Sequence, residues 1–234
     1  MKTYNGEKAI ISLTSWKARI NTVSKTLFSL VRRCPGFHIV LVLSEEEFPK
    51  KEKELPKSLM AFVNNNLIEI LWVYKNYKSF KKVLFTMDKY RDVPVISADD
   101  GCIYTTNFAE PLYQVWLKNK KCVVTTVFWN NDAAPGCGGG SGVLYPPFCF
   151  GLLGKVCVEE HWKILNTNPN DDRFMAWLIK FARIHIIPLD PHNGIRVFVN
   201  TDSSGLSVSR AYIRGSNWKF RELIMDTIKK FKQG

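Results

Sequence analysis

Val93-Pro94-Val95-Ile96-Ser97-Ala98-Asp99-Asp100-Gly101 is the stretch that organises this chain. Short apolar runs of this kind, bounded by turn residues, read as buried strands. Here the strand ends on two adjacent carboxylates. In open α/β sheets, ligands bind beyond the carboxyl ends of the strands. Paired carboxylates there suit a hard divalent cation shared with phosphate oxygens. Asp-Asp-Gly is equally good turn chemistry, so the tripeptide by itself admits both readings.

Working outward, apolar runs alternate with amphipathic stretches, the pattern of an α/β fold with a largely parallel sheet. Ala9 to Leu13 reads as a first strand, followed by a helix capped by Asn21 and running to Arg33, with Val23, Leu27, Leu30 and Val31 as its apolar stripe. Phe37 to Leu43 is a second strand and Leu67 to Tyr74 a third. Between them, Glu45 to Lys57 reads as a charged surface connection with one helical turn. A helix over Ser79 to Lys89 precedes the carboxylate strand.

Further along, Asn107 to Lys118 reads as helix and Cys122 to Trp129 as strand. Residues 130 to 151 form a Gly-rich loop, long enough to suggest function rather than mere connection. Helices are expected near 155–165 and 170–183, strands near 184–188 and 195–199, and a last helix over 217–232. Asn168 and Pro169 read as the cap and first position of the helix that Asp171 and Asp172 open. The chain reads as one domain over 1–234, with 1–104 a ligand-binding half and 105–234 a second half ending in the helix.

Composition narrows the partners. The 234 residues are 46% apolar and 23% charged, which excludes disordered and collagenous classes. The longest aliphatic run, Ile39-Val40-Leu41-Val42-Leu43, is far short of the roughly 18 residues of a membrane span. The polar start Met1 to Lys8 reads as no secretory signal, so the expected location is cytoplasmic. Six cysteines without a C-x-x-C pair read as free thiols. A formal charge of +12 draws anions such as nucleic acid, anionic lipid or phosphorylated small molecules, and it also serves solubility.

Several blocks carry a family likeness: Ser12-Leu13-Thr14-Ser15-Trp16-Lys17-Ala18-Arg19-Ile20, Leu43-Ser44-Glu45-Glu46-Glu47-Phe48-Pro49 and Lys78-Ser79-Phe80-Lys81-Lys82. Asp99 to Tyr104, Gly142-Val143-Leu144-Tyr145-Pro146-Pro147 and Asp171-Asp172 continue it. In order and spacing this chain resembles bacterial sugar-nucleotide-dependent glycosyltransferases of the GT-A fold, of the kind that build capsule and other surface glycans. The resemblance implies a nucleoside diphosphate sugar donor, a glycan or lipid-linked glycan acceptor, and a divalent cation (Mn or Mg). Thr14 and Ser15, at the end of the first strand, either bond the donor base or are plain turn residues. The resemblance implies donor binding by Arg19, Asp99 and one of Lys81 and Lys82, with metal at Asp99, Asp100 as the substitute ligand, and a late histidine, His192, as a further ligand. Acids in a first helical turn also suit the helix dipole. By the resemblance Asp172, with Asp171 second, is the general base, which points to inversion, with retention left open. A sugar acceptor would meet Trp129, Gly142 and Tyr145.

Family members carry three successive acidic residues at the turn, and the third position here is Gly101. Either Asp100 takes the ligand's place, or metal binds weakly, or Lys and Arg neutralise the diphosphate, or catalysis is impaired. A nucleotidyltransferase would need a Gly-rich loop after the first strand, and Thr14 to Arg19 has no glycine. A nucleic-acid-binding domain is suggested by charge alone, without clustered basic and aromatic residues. The last helix places Phe220, Leu223, Ile224, Ile228 and Phe231 on one face flanked by lysines. That face suits docking on the domain or peripheral contact with the inner face of a membrane.

Overall fold

The computed structural model describes residues 6–130, 134–167, 169–189, 198–200 and 217–233; for 198–200, 217 and 218 only the backbone is described. His192 and most of the expected strand at 195–199 lie outside them. Strands β1 (Ile10–Thr14), β2 (His38–Ser44), β3 (Glu69–Val73) and β4 (Val95–Ser97) pair in parallel in the order β4-β1-β2-β3. Their connections are α1 (Val23–Arg33), α2 (Lys57–Asn64) and α3 (Lys81–Lys89). Beyond β4 come β5 (Cys102–Tyr104), α4 (Ala109–Lys118), β6 (Val123–Thr125), β7 (Phe128–Trp129), β8 (Gly136–Cys137) and β9 (Val143–Tyr145). The chain closes with α5 (Leu153–Glu160), α6 (Trp162–Leu165), α7 (Asp171–Phe181), β10 (Ile186–Pro188), β11 (Phe198–Asn200) and α8 (Asn217–Gln233).

Seven strands make one sheet, β10-β6-β9-β4-β1-β2-β3, in which β9 alone runs antiparallel to its neighbours. Both halves of the chain therefore share one sheet. The two-residue period of a strand sends alternate side chains to opposite faces. Ile11, Leu13, Ile39 and Leu41 join the core under α1, α2 and α4, while Val95, Val123, Val143 and Tyr145 join the one under α3, α5, α7 and α8. Polar contacts fix α3 on the sheet. Ser12, inside β1, donates to the Lys82 carbonyl and bonds the Thr86 hydroxyl at 2.7 Å.

Several expected boundaries move. Asn21 does not cap α1; the cap is Thr22, without a side-chain bond to the helix amides. Residues 16–23 already turn, and the amides of Thr22 and Val23 bond the Arg19 carbonyl. Asn170 caps α7 by accepting from the Arg173 amide at 3.0 Å, so Pro169 precedes the helix, and Asn168 lies outside the described residues. The expected strand over 122–129 is two short pieces, and the helix at 155–165 breaks at His161. Four elements were not expected at all: α2, whose single fully buried residue is Leu59, β5 just after the carboxylate turn, and β8 and β9, which emerge from what read as loop.

The C-terminal helix uses its apolar face for docking. Phe220 and Ile224 are fully buried against α5 and α7, whereas Phe231 at its end is half exposed. Among the described residues no helix is long and apolar enough to cross a membrane, and the six cysteines are free.

Gly142, which had looked like an acceptor contact, is instead buried between sheet and α4. Its φ is +104°, and an added Cβ would lie 2.5 Å from the Phe108 ring. Gly142→Ala should therefore destabilise the fold by about 2–4 kcal/mol, combining backbone strain with overpacking. Urea unfolding measures it, and an unchanged midpoint would show that the loop can rearrange at no cost.

Candidate active site

The turn after β4 gathers charge from four elements. Asp99 leaves the sheet half exposed, and its Oδ1 accepts from the Lys82 ammonium at 2.7 Å. Lys82 sits in the first turn of α3, where the Ser12 contact anchors the helix to β1. The same ammonium lies 2.9 Å from Asp171 Oδ2, at the start of α7. Its own side chain is 5% exposed, so one buried cation ties the sheet's carboxyl edge to α7. Burial works against its charge, but Asp171, Asp99 and Asp172 outweigh it and hold Lys82 well above the ordinary lysine range.

Asp171 and Asp172 divide the work that adjacent acids can do. Burial would raise Asp171, yet the contact with Lys82 wins and keeps it below the usual carboxylate range. Asp172, one residue on, is pushed up to about 8 by burial of its carboxyl and by the charge of Asp171. Its Oδ1 accepts from the Gly139 amide at 3.1 Å. Neighbouring carboxylates pushed apart in this way are a common source of acid–base groups.

The Gly-rich loop closes over these acids. Gly139 to Ser141 form one tight helical turn, held by the Ser97 hydroxyl donating to the Gly139 carbonyl at 2.8 Å. Tyr104 donates to the Gly140 carbonyl at 2.8 Å and accepts from the Asp99 amide at 3.0 Å. An added Cβ at Gly139 would meet Asp172 Oδ1 at 2.7 Å, and one at Gly140 would meet Asp99 Oδ2 at 2.5 Å. Glycine is required there because backbone lies directly against carboxylate.

Asp100 turns inward, away from Asp99. Ser15 donates to its Oδ2 at 2.7 Å and Arg19 Nη1 to its Oδ1 at 2.8 Å, while Thr26 on α1 donates to its carbonyl at 2.7 Å. Burial pushes Asp100 above the ordinary range, against the pull of Ser15 and Arg19. Ser29, one turn further along α1, accepts from the Tyr104 amide at 3.0 Å and braces β5.

The remaining sequence-expected residues are dispersed. Thr14 donates its hydroxyl to the Val42 carbonyl at 2.7 Å, and Ser15 is committed to Asp100. Lys81 is turned into the protein, donating to Asn76 Oδ1 at 3.0 Å and the Lys78 carbonyl at 3.2 Å, and burial lowers it to about 8. Of the lysine pair, Lys82 reaches the acids. Tyr145 cannot stack on a sugar, because its ring is 2% exposed and packs edge-on against Phe150 in the core. Trp129 is partly exposed and covers Gly136 on the ribbon of β7 and β8, whose Cys137 neighbours Asp172.

The expected cation finds a poor set of donors here. Both oxygens of Asp100 are engaged, position 101 is glycine, and one oxygen of Asp99 is held by Lys82. An octahedral Mg²⁺ site needs at least a well-placed carboxylate or two facing open space. Among the described residues, the one trio of metal-type ligands within reach of one another is Glu160, His161 and Asp226, and Lys230 already pairs with both of its acids.

No family model and no curated protein matches the sequence. Solved structures do match in shape. The glycosyltransferase GlyE of Streptococcus pneumoniae TIGR4 superposes with a TM-score of 0.52 at 12% identity, over 96% of this chain and 64% of that one. Its apo form gives 0.51 at 11% identity, over 97% and 64%. The chain thus spans less than two thirds of the length of GlyE. This is the GT-A fold. GalNAc-T7, crystallised with UDP, GalNAc and Mn²⁺, shares a smaller part, 51% of this chain and 22% of that one, with 17% identity and a TM-score of 0.40.

Within this GT-A sheet the Lys82 bridge carries the most concentrated electrostatic demand. Lys82→Met should lower stability by about 3–5 kcal/mol, because two buried or half-buried acids lose their shared counterion. Denaturant unfolding tests this, and a loss below about 1 kcal/mol would mean the acids relax into solvent.

Proposed function

We propose that this chain is a glycosyltransferase that takes a sugar from a nucleoside diphosphate donor and delivers it to a hydroxyl of a surface glycan. The observation that carries this reading is one cluster. A buried Lys82 joins Asp99, at the carboxyl end of a central strand, to an Asp171–Asp172 pair whose second member holds its proton unusually tightly. Structural likeness to glycosyltransferases supports the general class, while the surface-glycan acceptor rests on the sequence resemblance.

In this mechanism the donor lies across the β4 turn, with its diphosphate toward Arg19 and Lys82 and its sugar toward Asp99 and the Gly139–Gly140 backbone. Positioned cations and amides stabilise charge that grows on a leaving group. The acceptor hydroxyl approaches from the side of α7 and the Trp129 ribbon. Asp172 takes its proton as the new bond forms at the anomeric carbon and the bond to the diphosphate breaks, with the electron pair leaving on the diphosphate. A direct displacement of this kind inverts the anomeric centre. A nucleic-acid role draws support only from the overall charge of +12. A membrane-lying role for α8 would need an apolar face that the domain already covers apart from its last turn.

Two measurements test the proposal. In a thermal-shift panel, one nucleoside diphosphate at a hundredfold excess over its Kd should raise Tm by about 5 to 10 °C. A shift with oligonucleotides instead would overturn the donor reading. With the matching nucleotide sugar, turnover should climb about tenfold per pH unit and level off above pH 8, as Asp172 loses its proton. Asp172→Asn should lose about 100- to 10,000-fold in kcat together with that slope. A variant that keeps the wild-type pH profile would remove Asp172 from the base role.

A further inference from the structure

By the family resemblance position 101 would carry a third carboxylate; here it is glycine, and the space beside it is filled. A Cβ built at Gly101 would lie 2.9 Å from Arg19 Nη1, 3.4 Å from Cζ and 3.5 Å from Nη2. The guanidinium therefore lies over position 101. It is held there from below by Asp100, whose other oxygen is fixed by Ser15, and Thr26 and Ser29 of α1 brace the backbone on either side.

We infer that Arg19 has replaced the divalent cation, so that this chain binds its donor diphosphate without metal. The inference rests on the nucleoside diphosphate reading of the site and names the counterion within it. Charge supports it. Asp100 is matched by Arg19, and Asp99 and Asp171 share Lys82, with the Lys81 ammonium adding its field to Asp100 from α3. A divalent cation takes carboxylate oxygens that face open space, and here both oxygens of Asp100 and one of Asp99 are already held by Ser15, Arg19 and Lys82. A guanidinium is suited to the exchange. It stays charged at any working pH, and its planar array of donors matches phosphate and carboxylate oxygens alike. Glycine at 101 is what makes room for it.

Isothermal titration of UDP, GDP, CDP, ADP and TDP into the full chain, once in EDTA and once in excess MnCl₂, tests the inference. For the diphosphate that binds, the two affinities should agree within about threefold. Arg19→Lys, which keeps the charge but loses the fork, should weaken binding about tenfold or more in both conditions, with an unchanged unfolding midpoint showing that it folds. Gly101→Asp places a carboxylate against the guanidinium, so metal-free affinity should fall and MnCl₂ should restore it. Binding that appears only with MnCl₂, together with a Mn²⁺ resonance signal quenched by wild type but not by Asp99→Asn, overturns the inference and leaves the donor reading intact. No binding of any diphosphate in either condition overturns the donor reading itself, and the metal question with it.

Discussion

A single buried ammonium ties the carboxyl end of the central sheet to α7. Lys82 contacts an acid delivered by the sheet and an acid delivered by α7, two segments more than seventy residues apart in sequence. Without it, the buried Asp171 would be left without its partner, at several kcal/mol, while the half-exposed Asp99 would lose less because water reaches it. With it, α3, β4 and α7 share one electrostatic centre, and the order in which those elements can pack is restricted. The same ion sorts the two neighbouring acids by distance. Asp171, in contact, stays ionised, and Asp172, out of contact and beside Asp171, keeps its proton to about pH 8. Structure and chemistry rest on the same pair of contacts.

Small residues play a comparable part. Gly139 and Gly140 let backbone approach the acids to distances that a methyl group would block, and Gly101 admits Arg19 over the turn. In each case the missing side chain makes room for a polar group. Hydroxyls at Ser97, Tyr104, Ser15 and Thr26 then fix that geometry through bonds to backbone or to Asp100. The site is thus preorganised by hydroxyls and glycines, which carry no charge of their own.

Much of the sheet was legible in the sequence because buried strands leave a plain signal. The runs at 9–13, 37–43 and 93–97 stood out by being apolar and bounded by turn residues, and each falls within a residue or two of an observed strand. Arg19, Lys82, Asp99, Asp100, Asp171 and Asp172 were named chiefly through the family resemblance, and the fold brings them to one end of the sheet. What stayed hidden was direction. Nothing in Lys81-Lys82 says which ammonium faces the acids; that follows from the α3 register set by Ser12 and Thr86. Nor does Asp99-Asp100 say that the second acid turns back to Arg19. Tyr145 looked available because it ends a flexible stretch, yet the three residues Val143 to Tyr145 form a central strand whose neighbours bury it. A strand that short, after five glycines and serines, has too little pattern to announce itself. One signal was missed that sequence did hold. Thr26 and Ser29 lie among the apolar positions of α1, and polar residues on a buried helix face usually have a partner to satisfy.

In the proposed function this charged corner receives the diphosphate of an activated sugar. A crystal structure of the chain soaked with the nucleoside diphosphate that stabilises it most would test this directly. Phosphate density is expected within hydrogen-bond reach of Arg19, beside the Asp99 turn and near the Gly139–Gly140 backbone. Density elsewhere on the molecule, with Arg19 and Lys82 unchanged in their contacts, would contradict it.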